Sequence, residues 1–174
     1  MKNIRWGLIF NVFLGVAALA GLVVLMGLIS RKDAVQVCTV LKVNVEGKET
    51  FIDQHDISRM ISNQFGAIVG KELKAIKFEE IENAIEKLPY VSNAEIHADM
   101  DGTINVNVHQ REVILRVINK DGREFYVDTK GHKIPVTLKY VPHVLVANGK
   151  IQEGYTKPLE PITTKMVQDL IRIV

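Results

Sequence analysis

VSNAEIHADMDGTINVNV, residues 91–108, reads as two strands folded about a glycine turn. Ile96, Ala98 and Met100 alternate with polar residues on the first strand, as do Ile104, Val106 and Val108 on the second, the period of half-buried strands. A two-residue loop at Asp101-Gly102 would set Met100 against Thr103 and throw the two apolar sets onto opposite faces. A loop over 101–103, with Gly102 left-handed, pairs Met100 with Ile104 and Ile96 with Val108. The odd loop is therefore expected, together with a bulge.

Upstream, the period changes. Phe78, Ile81, Ile85 and Leu88 form one helical stripe, with Glu79, Glu80 and Glu82 at its positive end, Lys87 near its negative end and Pro89 as its breaker. Asp53 caps an earlier helix carrying Ile57, Met60, Ile61 and Phe65, which Gly66 stops. Before that, Val37, Thr39, Leu41, Val43 and Val45 alternate as a strand. The order over 37–110 is β-α-α-β-β. Downstream, Val113–Ile118, Glu124–Val127, His132–Leu138 and Val144–Ala147 read as further strands. Thr163 is placed to cap a last amphipathic helix with Met166, Val167, Leu170, Ile171 and Val174. Residues 111–174 are thus expected to form a small antiparallel β domain with a terminal helix, and its pattern stops so abruptly that an incomplete domain is expected.

The N-terminal segment has a different character. No charge interrupts Trp6 to Ser30, where Trp6, Phe10, Phe13, Leu14, Leu22, Leu25 and Ile29 are prominent. About 24 such residues make roughly 36 Å of helix, enough to cross a ~30 Å hydrocarbon core. No polar stripe marks it as a buried soluble helix. Ala18-Leu19-Ala20 has the form of a signal cleavage site, but the apolar run continues well past it, so an uncleaved anchor over 6–30 is expected. Lys2 and Arg5 on one side balance Arg31 and Lys32 on the other, so charge barely sets the orientation. The short tail 1–5 is expected in the cytoplasm, and the domains after Ser30 outside it. The whole is an α+β chain with an N-terminal transmembrane helix.

Composition excludes several classes. A formal charge of +2 over 174 residues, with no Lys/Arg cluster, gives nucleic acid no footprint. One cysteine, Cys38, allows no internal disulfide and reads as a small buried hydrophobe. No serine lies in a G-x-S-x-G elbow, and Gly66–Lys71 is too short for a phosphate loop. Glu95, His97 and His109 share the polar hairpin face and would hold zinc only if they converged, the requirement for an anchored metal-dependent hydrolase. No cofactor, small-molecule substrate or enzymatic activity is expected.

Gly70–Val91 (GKELKAIKFEEIENAIEKLPYV), the hairpin to Val108, HQREVILRV from His109 and YVDTKGHKIP from Tyr126 together resemble the FtsQ/DivIB family of bacterial cell-division proteins. That resemblance implies a short tail, one anchor, a POTRA domain and a β domain, in the order read above. It also implies a non-catalytic scaffold of divisome assembly and septum formation in the cell inner membrane, with the lipid bilayer and other divisome proteins as partners. Gln110 stands where the family usually has Glu, and Val113 where Pro is common. The family's β domain runs further, and its C-terminal strands contact partners such as FtsB and FtsL. If the family arrangement holds, the strand with Val91, Asn93, Glu95, His97 and Asp99 is a sheet edge able to accept an added strand. A single-POTRA adaptor for membrane-protein insertion or secretion is the alternative.

Overall fold

The computed structural model describes residues 6–33 and 36–173, with side chains described over 13–27 and 36–173. The tail 1–5 and Val174 lie outside the described residues, as do the side chains of Trp6, Phe10 and Ile29. The first element, α1 (Trp6–Asp33), is a 28-residue helix. Its described side chains, Phe13, Leu14, Leu22 and Leu25 among them, are all exposed. Over the residues of α1 whose side chains are described, 13–27, the helix is only about 22 Å long, and among these described residues no helix is long and apolar enough to cross a membrane. The crossing expected from the sequence is therefore not carried by the described residues.

The first domain comprises β1 (Val40–Glu46), α2 (Gln54–Phe65), α3 (Phe78–Glu86), β2 (Val91–Ala98) and β3 (Thr103–Gln110). Asp53 caps α2 by accepting from the Asp56 amide while the Asp56 carboxylate accepts from the Asp53 amide, and Gly66 ends the helix. Ile57 and Ile61 of α2 and Ile81 and Ile85 of α3 are buried on one face of the sheet, against Ile96, Ile104, Val106 and Val108. The sheet order is β1-β3-β2, with β1 parallel and β2 antiparallel to the central β3.

The hairpin corrects the expected register. Ala98 faces Ile104 and Ile96 faces Val106, and the Asp99 amide donates to the Thr103 carbonyl at 2.8 Å. The loop is still odd, with Gly102 at φ 83°, but it spans 100–102 rather than 101–103. Met100 is 96% exposed at the tip, not in the core. The cause is Asp101, whose carboxylate accepts from the Thr103 amide at 2.8 Å and starts the second strand one residue earlier. The bulge lies at the far end, between Val91 and Asn93. The first strand also starts later than expected, at Val40, because residues 36–38 are held by a loop instead: the Cys38 amide donates to the Lys71 carbonyl at 2.8 Å.

The second domain contains β4 (Val113–Ile118), β5 (Glu124–Asp128), β6 (Lys133–Pro135), β7 (Leu145–Asn148) and α4 (Lys165–Ile173). The sheet order is β6-β5-β4-β7. Here the antiparallel expectation fails for one strand: β7 runs parallel to β4. After β4, β5 and β6 alternate in direction, residues 136–144 carry the chain back across the sheet, and a strand arriving that way runs with β4. Thr164, rather than Thr163, opens α4, its carbonyl accepting from Val167 and Gln168. Both threonine amides donate to the buried Glu153 carboxylate. Lys133 sits 2.7 Å from the same carboxylate, also buried. Burial pushes the Glu153 pKa up, but Lys133 and the Thr163 and Thr164 donors outweigh it and hold it at about 2.

The two domains share packing. Val113, Tyr126 and Ile134 belong to the first core. Phe51 stacks on Tyr90 at 5.1 Å and meets Tyr140 edge-on at 5.2 Å and Tyr126 at 6.0 Å. Gln110 uses both ends of its amide, donating to the Glu49 carbonyl at 2.6 Å and accepting from the Ile52 amide at 3.2 Å. Arg111 pairs with buried Asp128 at 2.8 Å.

Candidate functional site

Both outer strands of the first sheet are edges in topology, but their backbone groups have different fates. Because the Asp99 amide faces β3, alternation turns the backbone groups of Asn93, Glu95 and His97 to β3 as well, and those of Ala94, Ile96 and Ala98 outward. Two of the outward amides are occupied. Ala94 donates to Glu86 at 3.2 Å and Ile96 donates to Glu82 at 2.6 Å. Two glutamates one helical turn apart on α3 thus cover the middle of the β2 edge. The sequence reading placed Glu82 only at a helix terminus and gave Glu86 no role. An i,i+4 carboxylate pair is the one signal that could have revealed them, and on sequence alone it looks like an ordinary solvated face.

Of the residues named for this edge, Val91 is buried, with its amide given to Leu88 at 3.1 Å. Glu95 and His97 expose their side chains on the face away from the helices. Asn93 donates to Glu95, and Asn105 donates to Asp99. His97 lies opposite Asn105 and His109 opposite Asn93, four positions apart along β3, or about 13 Å. Glu95, His97 and His109 are not brought together. Among the described residues no group of three metal-ligating side chains is assembled. The Cys38 thiol is buried, and burial pushes its pKa up, away from the reactive thiolate.

On β1 the alternation leaves the edge open. The Thr39 amide faces β3, donating to the Gly102 carbonyl at 2.9 Å, so Cys38, Val40, Lys42, Asn44 and Glu46 direct their backbone groups outward. Cys38 is taken by the loop, donating to Lys71 and accepting from Gly70. Beyond it, among the described residues, only a weak contact from the Cys38 thiol to the Val40 carbonyl (3.7 Å) touches this side. Seven residues, about 23 Å of strand, are available there. The second sheet repeats the asymmetry. Outside β6, the Leu159 amide donates to the Lys133 carbonyl at 2.8 Å and the Lys133 amide to the Glu160 carbonyl at 2.9 Å. At the opposite edge β7 has no further strand beside it among the described residues, and Leu145 and Val146 are exposed.

A β-α-α-β-β domain packed on a following β domain, with open strand edges in each, defines a POTRA-containing protein of two linked modules. Residues 36–109 match the POTRA-like domain family, and residues 112–172 match the family described as FtsQ/DivIB, C-terminal related. Together the two matches support assignment of the chain to the FtsQ/DivIB family. Among curated proteins, none matches it.

Proposed function

We propose that the protein is a non-catalytic, single-pass scaffold of bacterial cell division, anchored by α1 in the cytoplasmic membrane with both folded domains outside the cytoplasm. The observation that carries this reading is the tandem of a POTRA-like domain and an FtsQ/DivIB-related domain in one chain. The second match favours division over an insertion or secretion adaptor. For the anchor, the support is the uncharged run from Trp6 to Ser30 and the 28-residue helix through it, about 42 Å long. Leu14, Leu19, Leu22, Val23 and Leu25 are each about 60–70% exposed on that helix. Leaving such side chains in water forgoes about 1.5–3 kcal/mol apiece, and lipid recovers it.

The scaffold gathers other divisome proteins by strand addition at the open β1 and β7 edges, where main-chain hydrogen bonds supply affinity and exposed side chains supply selectivity. Anchoring raises the effective concentration of such contacts, so modest interfaces suffice. Depletion in the native host tests the reading directly. Filaments with blocked septa are expected, and cells of normal length would count decisively against it. Stoichiometric zinc in purified protein would revive the metal-enzyme alternative.

A further inference from the structure

The geometry points to a second membrane contact: the anchor-proximal end of the POTRA-like domain rests on the bilayer, seating Met100, Val69 and Val37 at the boundary of headgroups and acyl chains. This rests on the reading of α1 as the anchor. Two residues lie between Asp33, the end of α1, and Gln36, so three Cα–Cα steps of about 3.8 Å keep the two within about 11 Å of each other. Two loops are tied to the segment that follows. On one side the Gln36 side chain donates to the Met100 carbonyl at 3.0 Å and the Thr39 amide to Gly102 at 2.9 Å. On the other, Leu73 donates to the Gln36 carbonyl at 2.9 Å and Gly70 to the Cys38 carbonyl at 2.8 Å. The hairpin tip and the 66–73 loop therefore flank the chain where it leaves the helix, and the short link holds both near the membrane surface.

This end of the domain is apolar where it is most exposed. Met100 is 96% exposed, Val69 56% and Val37 42%. Methionine is unbranched and adaptable, suited to an irregular apolar surface. Charges around the two loops cancel, Lys42, Lys71 and Lys74 standing against Glu72, Asp99 and Asp101, and Arg31, Lys32 and Asp33 at the end of α1 add only a single net positive charge. The occupant is thus the apolar boundary layer of the lipid rather than its anionic headgroups. Such a contact is weak alone and becomes effective because the anchor holds the domain beside it. The open β1 edge starts at Val40, just beyond, so the contact also fixes how that edge is presented to partners.

The test uses the full chain in lipid nanodiscs with Cys38→Ala, and single nitroxide labels at Met100→Cys, Val69→Cys, Leu138→Cys and Leu22→Cys. Leu138 is fully exposed in the second domain, and Leu22 lies within α1. Collision with a water-soluble nickel chelate and with oxygen, which partitions into lipid, reads the environment of each label. Labels at 100 and 69 should show several-fold less nickel collision relative to oxygen than the label at 138, equally in zwitterionic and anionic lipid. The proposal is overturned by nickel access at 100 equal to that at 138 while 22 stays in lipid. Protection from both probes, meaning a protein cover, would overturn it too, as would protection only in anionic lipid. Nickel access at 22 would instead sink the anchor reading on which it stands.

Discussion

Gly102 is where one side chain would do most harm. It sits at φ 83°, and a Cβ there would meet the Val37 carbonyl oxygen at 2.4 Å. Gly102→Ala should therefore loosen both the turn and the tie to residues 36–39, lowering stability by more than the ~1 kcal/mol typical of a point mutant, measurable by urea unfolding. Gln110 is a subtler case. A glutamate there can still accept from Ile52, but its carboxylate would face the Glu49 carbonyl where an amide now donates. Gln110→Glu should cost about 1–3 kcal/mol at neutral pH, although the family usually carries Glu at this position; unchanged stability would mean the joint rearranges freely. Glu153 gives a pH dependence. Its folded pKa is depressed to about 2 from an ordinary 4.5, so its contribution is complete above 4.5 and disappears as pH falls through that value toward 2. Glu153→Gln should flatten that part of the acid unfolding curve. Asp53, also held at about 2 chiefly by Lys139 and then by the Asp56 amide, would leave a residual slope.

At the scale of the element, the alternation of backbone direction on β1 sorts two neighbouring proline substitutions. Asn44 turns its amide outward, so Asn44→Pro should keep the fold, with a midpoint temperature near that of the parent, while abolishing strand addition and septal recruitment. Val43 turns its amide into the ladder with β3, and Val43→Pro should unfold the domain. On β2, removing both covering carboxylates with Glu82→Ala and Glu86→Ala should expose two amides and promote self-association, visible by sedimentation. Much of this level was legible in the sequence. Helix α2, with its Asp53 cap and Gly66 stop, and helix α3, with its apolar stripe ending before Pro89, lie where the 3.6-residue period puts them. The asymmetry of the edges was not legible, because a glutamate bound to a strand amide and a glutamate in water have the same spacing along a helix.

For the molecule as a whole, the joint between the domains decides how it unfolds. Phe51 packs Tyr90 of the first domain against Tyr126 and Tyr140 of the second, and one core runs through both. Thermal unfolding should be a single transition. Phe51→Ala should cost about 3–5 kcal/mol and split the transition in two as the domains uncouple; a parent that already melts in two steps would show the joint to be too weak to couple them. A rigid joint matters for a scaffold because it holds the open β1 and β7 edges at a constant separation.

Period and turn chemistry act over a few residues, so the chain's own order of letters suffices for the helices, the odd hairpin loop, the alternating strands and the apolar N-terminal run. Pairings over long separations depend on which distant group arrives first in space. Asp101 shifts the turn and exposes Met100 through an amide only two residues away, so that shift is local. Residues 136–144 returning β7 parallel to β4, and Glu82 and Glu86 covering β2 while β1 stays open, are both of the long-range kind. No local pattern encodes them, because each is settled by a backbone group finding its hydrogen-bond partner in the folded molecule.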